Sequence, residues 1–404
     1  MKANTFFLFT LAAVTLIFQA SCREKQVRSV TVPFILDHNR MLVEAEFQRK
    51  DGTWRKATLW VDTGNPDFLI SEEFAKDMGI EIDTSKSDQA IPSPKGVRIG
   101  GMPVNFDGVA TTIAVGVKWL FNTMHIDANI PSKVLKKYHI IFDYPLRELT
   151  IAEPGVLSPR GIKSPAAINP ATGIIQMDAT IDGENYSFAL DNGASFSFAP
   201  DSLVAKLRQR HHDWPTSNGA VGCANIWGWW PWEEKWPILR IPEIKWGALD
   251  IKDALLVGLP PFFYGGKDVG TWYSQKTARP VNGFFGPNMF RAFRVEIVYP
   301  DNALYFEKGS DSAANEMNIV GLTLRPLDDG RYSVIGITKM NGKPAVDGIL
   351  KGDILLQIGE LKTTGITMGK VIDALRGKPG DIRVLTLERD GKQFKIEARV
   401  EHIL

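Results

Sequence analysis

Two apolar runs of this chain end alike. Leu59-Trp60-Val61 leads into Asp62-Thr63-Gly64, and Phe188-Ala189-Leu190 leads into Asp191-Asn192-Gly193. A short apolar run closed by turn residues reads as a buried strand, so each run delivers a carboxylate to the mouth of a turn. A chain that does this twice is constrained to place two acids at equivalent points of two similar halves.

The flanking sequence repeats in the same order. Val30, Val32, Phe34 and Leu36 alternate with other residues, as do Val43, Ala45 and Phe47; Lys50-Asp51-Gly52-Thr53 then turns the chain back along Ala57 to Val61. Asp-Gly tolerates the positive φ of a tight hairpin. Ser71 caps a short helix with acids in its first turn, Val97 to Val104 forms a hairpin around Gly100-Gly101, and His139 to Pro145 with Glu148 to Ile151 closes the half. In the second half, Met177 to Ile181, Asp182-Gly183, Tyr186 to Leu190, the helix Pro200 to Leu207, Leu239 to Pro242, Phe293 to Pro300 and Ala303 to Phe306 follow in matching order. Landmarks repeated in one order imply an internal duplication of about 125 to 145 residues, read as two facing lobes. Glu153 to Pro170, rich in Pro, Gly and Ser, reads as the linker between them, and Gly309 to Asn315 as a second linker.

A chain of 404 residues with 44% apolar and 23% charged composition holds two or three domains. Its 47 Lys+Arg against 46 Asp+Glu favour neither nucleic acid nor an anionic surface as partner. At the N-terminus, Lys2 precedes the apolar run Phe6 to Phe18, too short to span a bilayer, and Gln19-Ala20-Ser21-Cys22 follows. This resembles a bacterial lipoprotein signal over residues 1–22. It implies an exported protein of the periplasm or cell envelope, held to the membrane by a lipid on Cys22; Gln19 stands where an aliphatic residue is usual, which leaves ordinary signal cleavage open. With Cys22 acylated, Cys223 has no partner in the chain, so no disulfide framework is expected.

Val61-Asp62-Thr63-Gly64, its echo at Asp191, and the later step Phe284-Phe285-Gly286 resemble the pepsin and retropepsin superfamily of aspartic peptidases. The resemblance implies a mainly β protein: two retropepsin-like β-barrel lobes, 28–155 and 168–309, in a bilobal aspartic-protease fold. It implies that Asp62 and Asp191 are catalytic, supported by Thr63, Gly64, Asn192 and Gly193, with no cofactor and no metal, acting on a peptide or protein substrate. The chemistry suits the residues. Two carboxylates within hydrogen-bond reach cannot both ionise, so one proton is shared, and the pair offers a base for water and an acid for the carbonyl oxygen. Three positions depart from the pattern: Asn129-Ile130-Pro131 lacks the glycine of Phe284-Phe285-Gly286, Asn65 replaces a small residue, and Asn192 stands where a hydroxyl is usual. The contrasting reading is a catalytically degenerate peptide-binding envelope lipoprotein.

Asp191 to Leu239 spans 48 residues against 35 from Asp62 to Val97, and the extra length holds Trp227, Trp229, Trp230 and Trp232. These are read as a substrate lid or subsite wall, or as a local cluster packing on itself, or as a surface for a glycan. His211-His212 reads as a solvated helix end rather than a metal site. The region 318–404, with Val320-Gly321-Leu322-Thr323, Gly352-Asp353 and a helix capped by Thr367, resembles a PDZ domain in the circularly permuted bacterial arrangement, an α+β fold. That implies a peptide carboxylate bound at Gly321, Leu322 and Thr323, with the peptide added to the strand Ser333 to Ile337, or a domain serving only as a brace.

Overall fold

The computed structural model describes residues 27–81, 91–113, 126–218, 235–261, 268–309, 316–340 and 342–404. In the first lobe Arg40–Gln48 and Trp54–Asp62 pair as an antiparallel hairpin, turning at Gly52 with φ 86°. Alternation places Val43, Ala45, Phe47, Leu59 and Val61 in the core, where Phe47 and Phe74 meet edge to face at 4.9 Å. Ser71 caps the helix Glu72–Asp77 by accepting the Phe74 N–H at 3.1 Å.

The strand that ends in Asp62 is flanked on its far side by Ala128–Pro131, running parallel with Val61 opposite Ile130. Phe68–Ile70 then runs antiparallel along that same strand. In the second lobe Ile175–Ile181 pairs with Glu184–Leu190. Glu184–Leu190 lies parallel to Gly283–Phe285, with Leu190 opposite Phe285, and Phe198–Pro200 closes antiparallel at Phe284. The duplication read from landmarks is therefore a duplication of topology: both aspartates emerge from a strand clamped between an antiparallel and a parallel neighbour. Pro131, at the end of its strand, stands where the second lobe has Gly286; a side chain on Gly286 would strike the Phe196 backbone.

A six-stranded sheet joins the lobes, in the order Ser29–Pro33, Glu148–Ala152, His139–Asp143, Phe293–Val298, Ala303–Lys308, Ile162–Pro165. The last strand corrects the linker expected over Glu153 to Pro170. Ile162–Pro165 pairs with Ala303–Lys308 as Ser29–Pro33 pairs with Glu148–Ala152, and the Ser164 hydroxyl donates to Trp246 O at 3.0 Å. Composition marked a loop, but the neighbouring sheet edge supplies the backbone partners, and an edge position tolerates the proline.

The C-terminal region is an α+β module. Its sheet runs Leu322–Pro326, Tyr332–Ile337, Ile354–Ile358, Ile382–Arg389, Lys392–Arg399, and the helix Met368–Leu375, capped by Thr367, buries Met368, Val371, Ile372 and Leu375. The strand expected to accept a peptide, Ser333 to Ile337, is not an edge: it pairs with Leu322–Pro326 on one side and at Ser333 with Ile354 on the other. Among the described residues the sheet ends on Leu322–Pro326 at one side and on Lys392–Arg399 at the other. The module does not hang from the lobes by a tether. One apolar cluster runs from Phe196, Phe198 and Val257 of the second lobe into Ile319, Leu322 and Leu375. Among the described residues no helix is long and apolar enough to cross a membrane.

Candidate active site

Each aspartate is fixed by its own turn. The Gly64 N–H donates to Asp62 Oδ1 at 3.0 Å, and the Gly193 and Ala194 N–H groups donate to Asp191 Oδ1 at 2.9 and 3.1 Å. Both side chains are about 95% buried, at 4% and 5% exposure. The two loops interlock. A methyl carbon on Gly64 would sit 2.6 Å from both carboxyl oxygens of Asp191, and one on Gly193 would sit 2.5 Å from Asp62 Cγ. Each glycine is therefore the seat of the opposite lobe's carboxylate, and the structure brings Asp62 and Asp191 together across the lobe interface.

Thr63 ties the loops. Its hydroxyl donates to Leu190 O at 3.0 Å and accepts from Asn192 N–H at 2.9 Å. A reciprocal brace from the second loop does not form: Asn192 is buried, and neither its amide oxygen nor its amide nitrogen has a partner among the described residues. The amide is longer than a hydroxyl and branched at its end, and among the described residues it reaches no group of the first lobe. An unmade pair of buried amide bonds costs about 1–3 kcal/mol per group. Asn192→Thr is accordingly expected to raise stability by about 1–3 kcal/mol, measured by denaturant unfolding; an unchanged midpoint would mean that the amide is satisfied by solvent.

The environments of the two acids differ. Burial and then the charge of Asp191 push Asp62 well above the usual carboxylate range, against the N–H groups of Gly64 and Asn65 and the side chain of Asn129. Burial also raises Asp191, but the Tyr273 hydroxyl, the Ala194 and Gly193 N–H groups and the Arg40 charge hold it back. Asp191 is thus the better solvated of the two in its charged form, with three donors on its oxygens, and Asp62 the more strongly raised.

Three contributors had no signal in the sequence reading. Tyr273, on the helix Val269–Ser274, is buried and donates its hydroxyl to Asp191 Oδ2; the duplication supplies no landmark for it. Arg40 is buried, donates Nε–H to Gly193 O at 3.1 Å, and is pulled down to about 10 by burial despite the charges of Asp37, Asp191 and Asp62. Its stretch reads as an ordinary extended segment. Lys276 is lowered by burial while Asp67, Asp62 and Asp191 oppose the shift, and its ammonium lies 3.7 Å from the Trp272 ring centroid.

The remaining candidate residues fall elsewhere. Gly321, Leu322 and Thr323 are all buried. The Leu322 N–H turns to Val320 O at 2.7 Å and the Val320 N–H to Leu375 O at 3.0 Å, so these donors are not presented to a ligand carboxylate. His211 lies 2.8 Å from Asp182 Oδ2 and stacks on Trp214 at 4.0 Å. Trp227, Trp229, Trp230 and Trp232 lie outside the described residues, between the paired strands Thr216–Asn218 and Pro237–Trp246. Cys22 also lies outside them.

No protein-family model and no curated protein matches the chain. Among solved structures, the crystal structure of an aspartic proteinase from Irpex lacteus aligns over 70% of this chain and 98% of its own, at 12% identity and a TM-score of 0.40. At that level the likeness assigns no residue.

Proposed function

We propose that the protein is an aspartic-type endopeptidase in which Asp62 and Asp191 activate water. The observation that carries the proposal is the reciprocal seating of each carboxylate on the opposite loop's glycine, with Thr63 spanning the two. Ionised Asp191 takes a proton from water as its oxygen bonds to the scissile carbonyl carbon, while Asp62 gives its proton to the carbonyl oxygen. Collapse of the resulting diol breaks the C–N bond. The proton taken by Asp191 goes to the leaving amine and a hydroxyl proton returns to Asp62, so the pair ends as it began. Mass spectrometry of an unfolded protein incubated with the enzyme at acidic pH is expected to show new internal peptide termini; intact substrate across the acid to neutral range would overturn the reading.

A second reading has its own support. The Tyr273 hydroxyl fills Asp191 Oδ2, an oxygen that a reacting water would share, and Asn192 leaves the brace half made. A degenerate relative that captures extended peptides fits both facts. It differs from the first reading in one measurable way: peptide binds and is recovered whole.

The same proposal places the protein in the cell envelope, exported and anchored by an acyl chain on Cys22. Labelled palmitate is expected in the wild-type protein and absent from Cys22→Ser; label retained in the variant would overturn the anchor.

A further inference from the structure

Beneath the second catalytic loop lies a tight turn of the first lobe. His38 and Asn39 have φ of 46° and 65° and join the strands Ile35–Asp37 and Arg40–Gln48, with Asp37 opposite Arg40. Short polar side chains tolerate this left-handed geometry better than branched ones. All four residues from Asp37 to Arg40 are buried.

The turn is bonded on two sides. Toward the catalytic loop, Asn39 Nδ2–H donates to Ser195 O at 2.9 Å and Arg40 Nε–H donates to Gly193 O at 3.1 Å. Two carbonyls of the loop that carries Asp191 therefore hang on this turn. Toward the C-terminal module, Asp37 receives the start of the helix Met368–Leu375: the Gly369 N–H donates to Oδ1 at 3.1 Å, and the Thr367 hydroxyl donates to Oδ2. The fit is close. A methyl carbon on Gly369 would sit 2.6 Å from His38 N and 2.7 Å from Asp37 Cγ. Asn39 Nδ2–H also reaches Glu316 Oε1 at 2.6 Å, and Arg376 Nε–H of the module donates to Glu316 O at 3.2 Å.

We propose that the helix Met368–Leu375 acts on the second catalytic loop through the Asp37–Arg40 turn, which makes Asp37, Asn39 and Arg40 positioning residues for Asp191 and the C-terminal module a working part of the catalytic site. The proposal deepens the peptidase reading and rests on it. Apolar side chains would hold such a junction at lower desolvation cost than a buried Asp and Arg; what they could not do is grip loop carbonyls at fixed points and set a positive charge beside Asp191. Among the described residues the charged groups acting on Arg40 include Asp37 on its own hairpin and Asp62 and Asp191 on the two loops, while Tyr273 and Lys276 face the same acids from the second lobe.

Gly369→Ala tests the connection from its far end. Alanine favours the helix, but its methyl strikes the turn. Peptide turnover is expected to lose about tenfold to a hundredfold in kcat with KM nearly unchanged, the signature of misplaced catalytic groups. Amide hydrogen exchange over 188–197 is expected to quicken while that over 57–61 stays as in wild type. Thr367→Val, which removes only the hydroxyl that meets Asp37, is expected to move both readouts the same way by less. Wild-type kcat and exchange in folded Gly369→Ala and Thr367→Val overturn the proposal. Arg40→Met is expected to carry both limbs of the pH profile of kcat upward by about one unit; Arg40→Lys keeps the limbs in place at lower kcat, and an Arg40→Met profile superposing on wild type overturns the role of Arg40. Should the wild-type protein cleave no peptide, the peptidase reading fails by itself. The exchange measurement then still decides the coupling between helix and loop.

Discussion

Asp62→Asn and Asp191→Asn, made one at a time, are each expected to lower kcat/KM for a cleaved peptide by about a thousandfold, the scale of losing a positioned acid or base. Neither loss can be made good by the surviving carboxylate, since one must be protonated while the other is charged. Wild-type activity is expected to follow a bell in pH: the acidic limb reports protonation of Asp191, the basic limb loss of the proton on Asp62, whose folded value stands well above the usual carboxylate range. Stability gives an independent check. Because burial and Asp191 raise Asp62 above its unfolded value, its contribution is fully present below the unfolded carboxylate range and is lost as pH rises through the raised folded value. Asp62→Asn has no such proton to lose. Thermal melts at about pH 4 and pH 7 should therefore show the variant gaining on wild type as pH rises. A difference that does not change with pH, or cleavage that persists in either variant, would sink the pair.

Gly64→Ala and Gly193→Ala are expected to have nearly as large an effect by a different route. Neither glycine has a positive φ, so the demand is one of space: each added methyl would fall within 2.6 Å of the other lobe's carboxyl atoms. Overpacking a rigid contact costs about 1–3 kcal/mol, and these contacts lie between lobes, so the relief is a shift of one loop away from the other. A displacement near 1 Å at reacting groups costs about a hundredfold in rate. Activity should thus fall by about a hundredfold or more while circular dichroism stays native. Gly286→Ala makes the contrast: its methyl strikes Phe196 within the second lobe, so stability should suffer without the lobes moving apart. Full activity in Gly64→Ala would mean that the loops do not interlock.

Much of the architecture was legible because it is local. Alternating apolar residues specify strands, Asp51-Gly52 and Asp182-Gly183 specify turns, and Ser71 and Thr367 specify helix starts; each signal acts within a few residues of itself. The match of Phe284-Phe285-Gly286 with Asn129-Ile130-Pro131 was also readable, since both strands must lie beside an Asp strand in repeated topology. Composition misled at Ile162–Pro165, where Pro and Ser suggested a linker and the sheet edge made a strand. The resemblance to a PDZ domain misplaced the edge at Ser333 to Ile337, because whether a strand is an edge depends on its neighbours and not on its own residues.

From sequence alone came the two lobes, the two aspartates and the weak point at Asn192. Only the tertiary structure decided how the acids differ and what holds them. Tyr273 meets Asp191 across 82 positions of chain, Arg40 meets Gly193 across 153, and Asp37 meets Gly369 across 332. No periodicity or turn rule reaches so far. Burial, charge proximity and the grip on a loop carbonyl are properties of surfaces brought together by folding, so the identity of the acids was written locally and their inequality was set by the assembled fold.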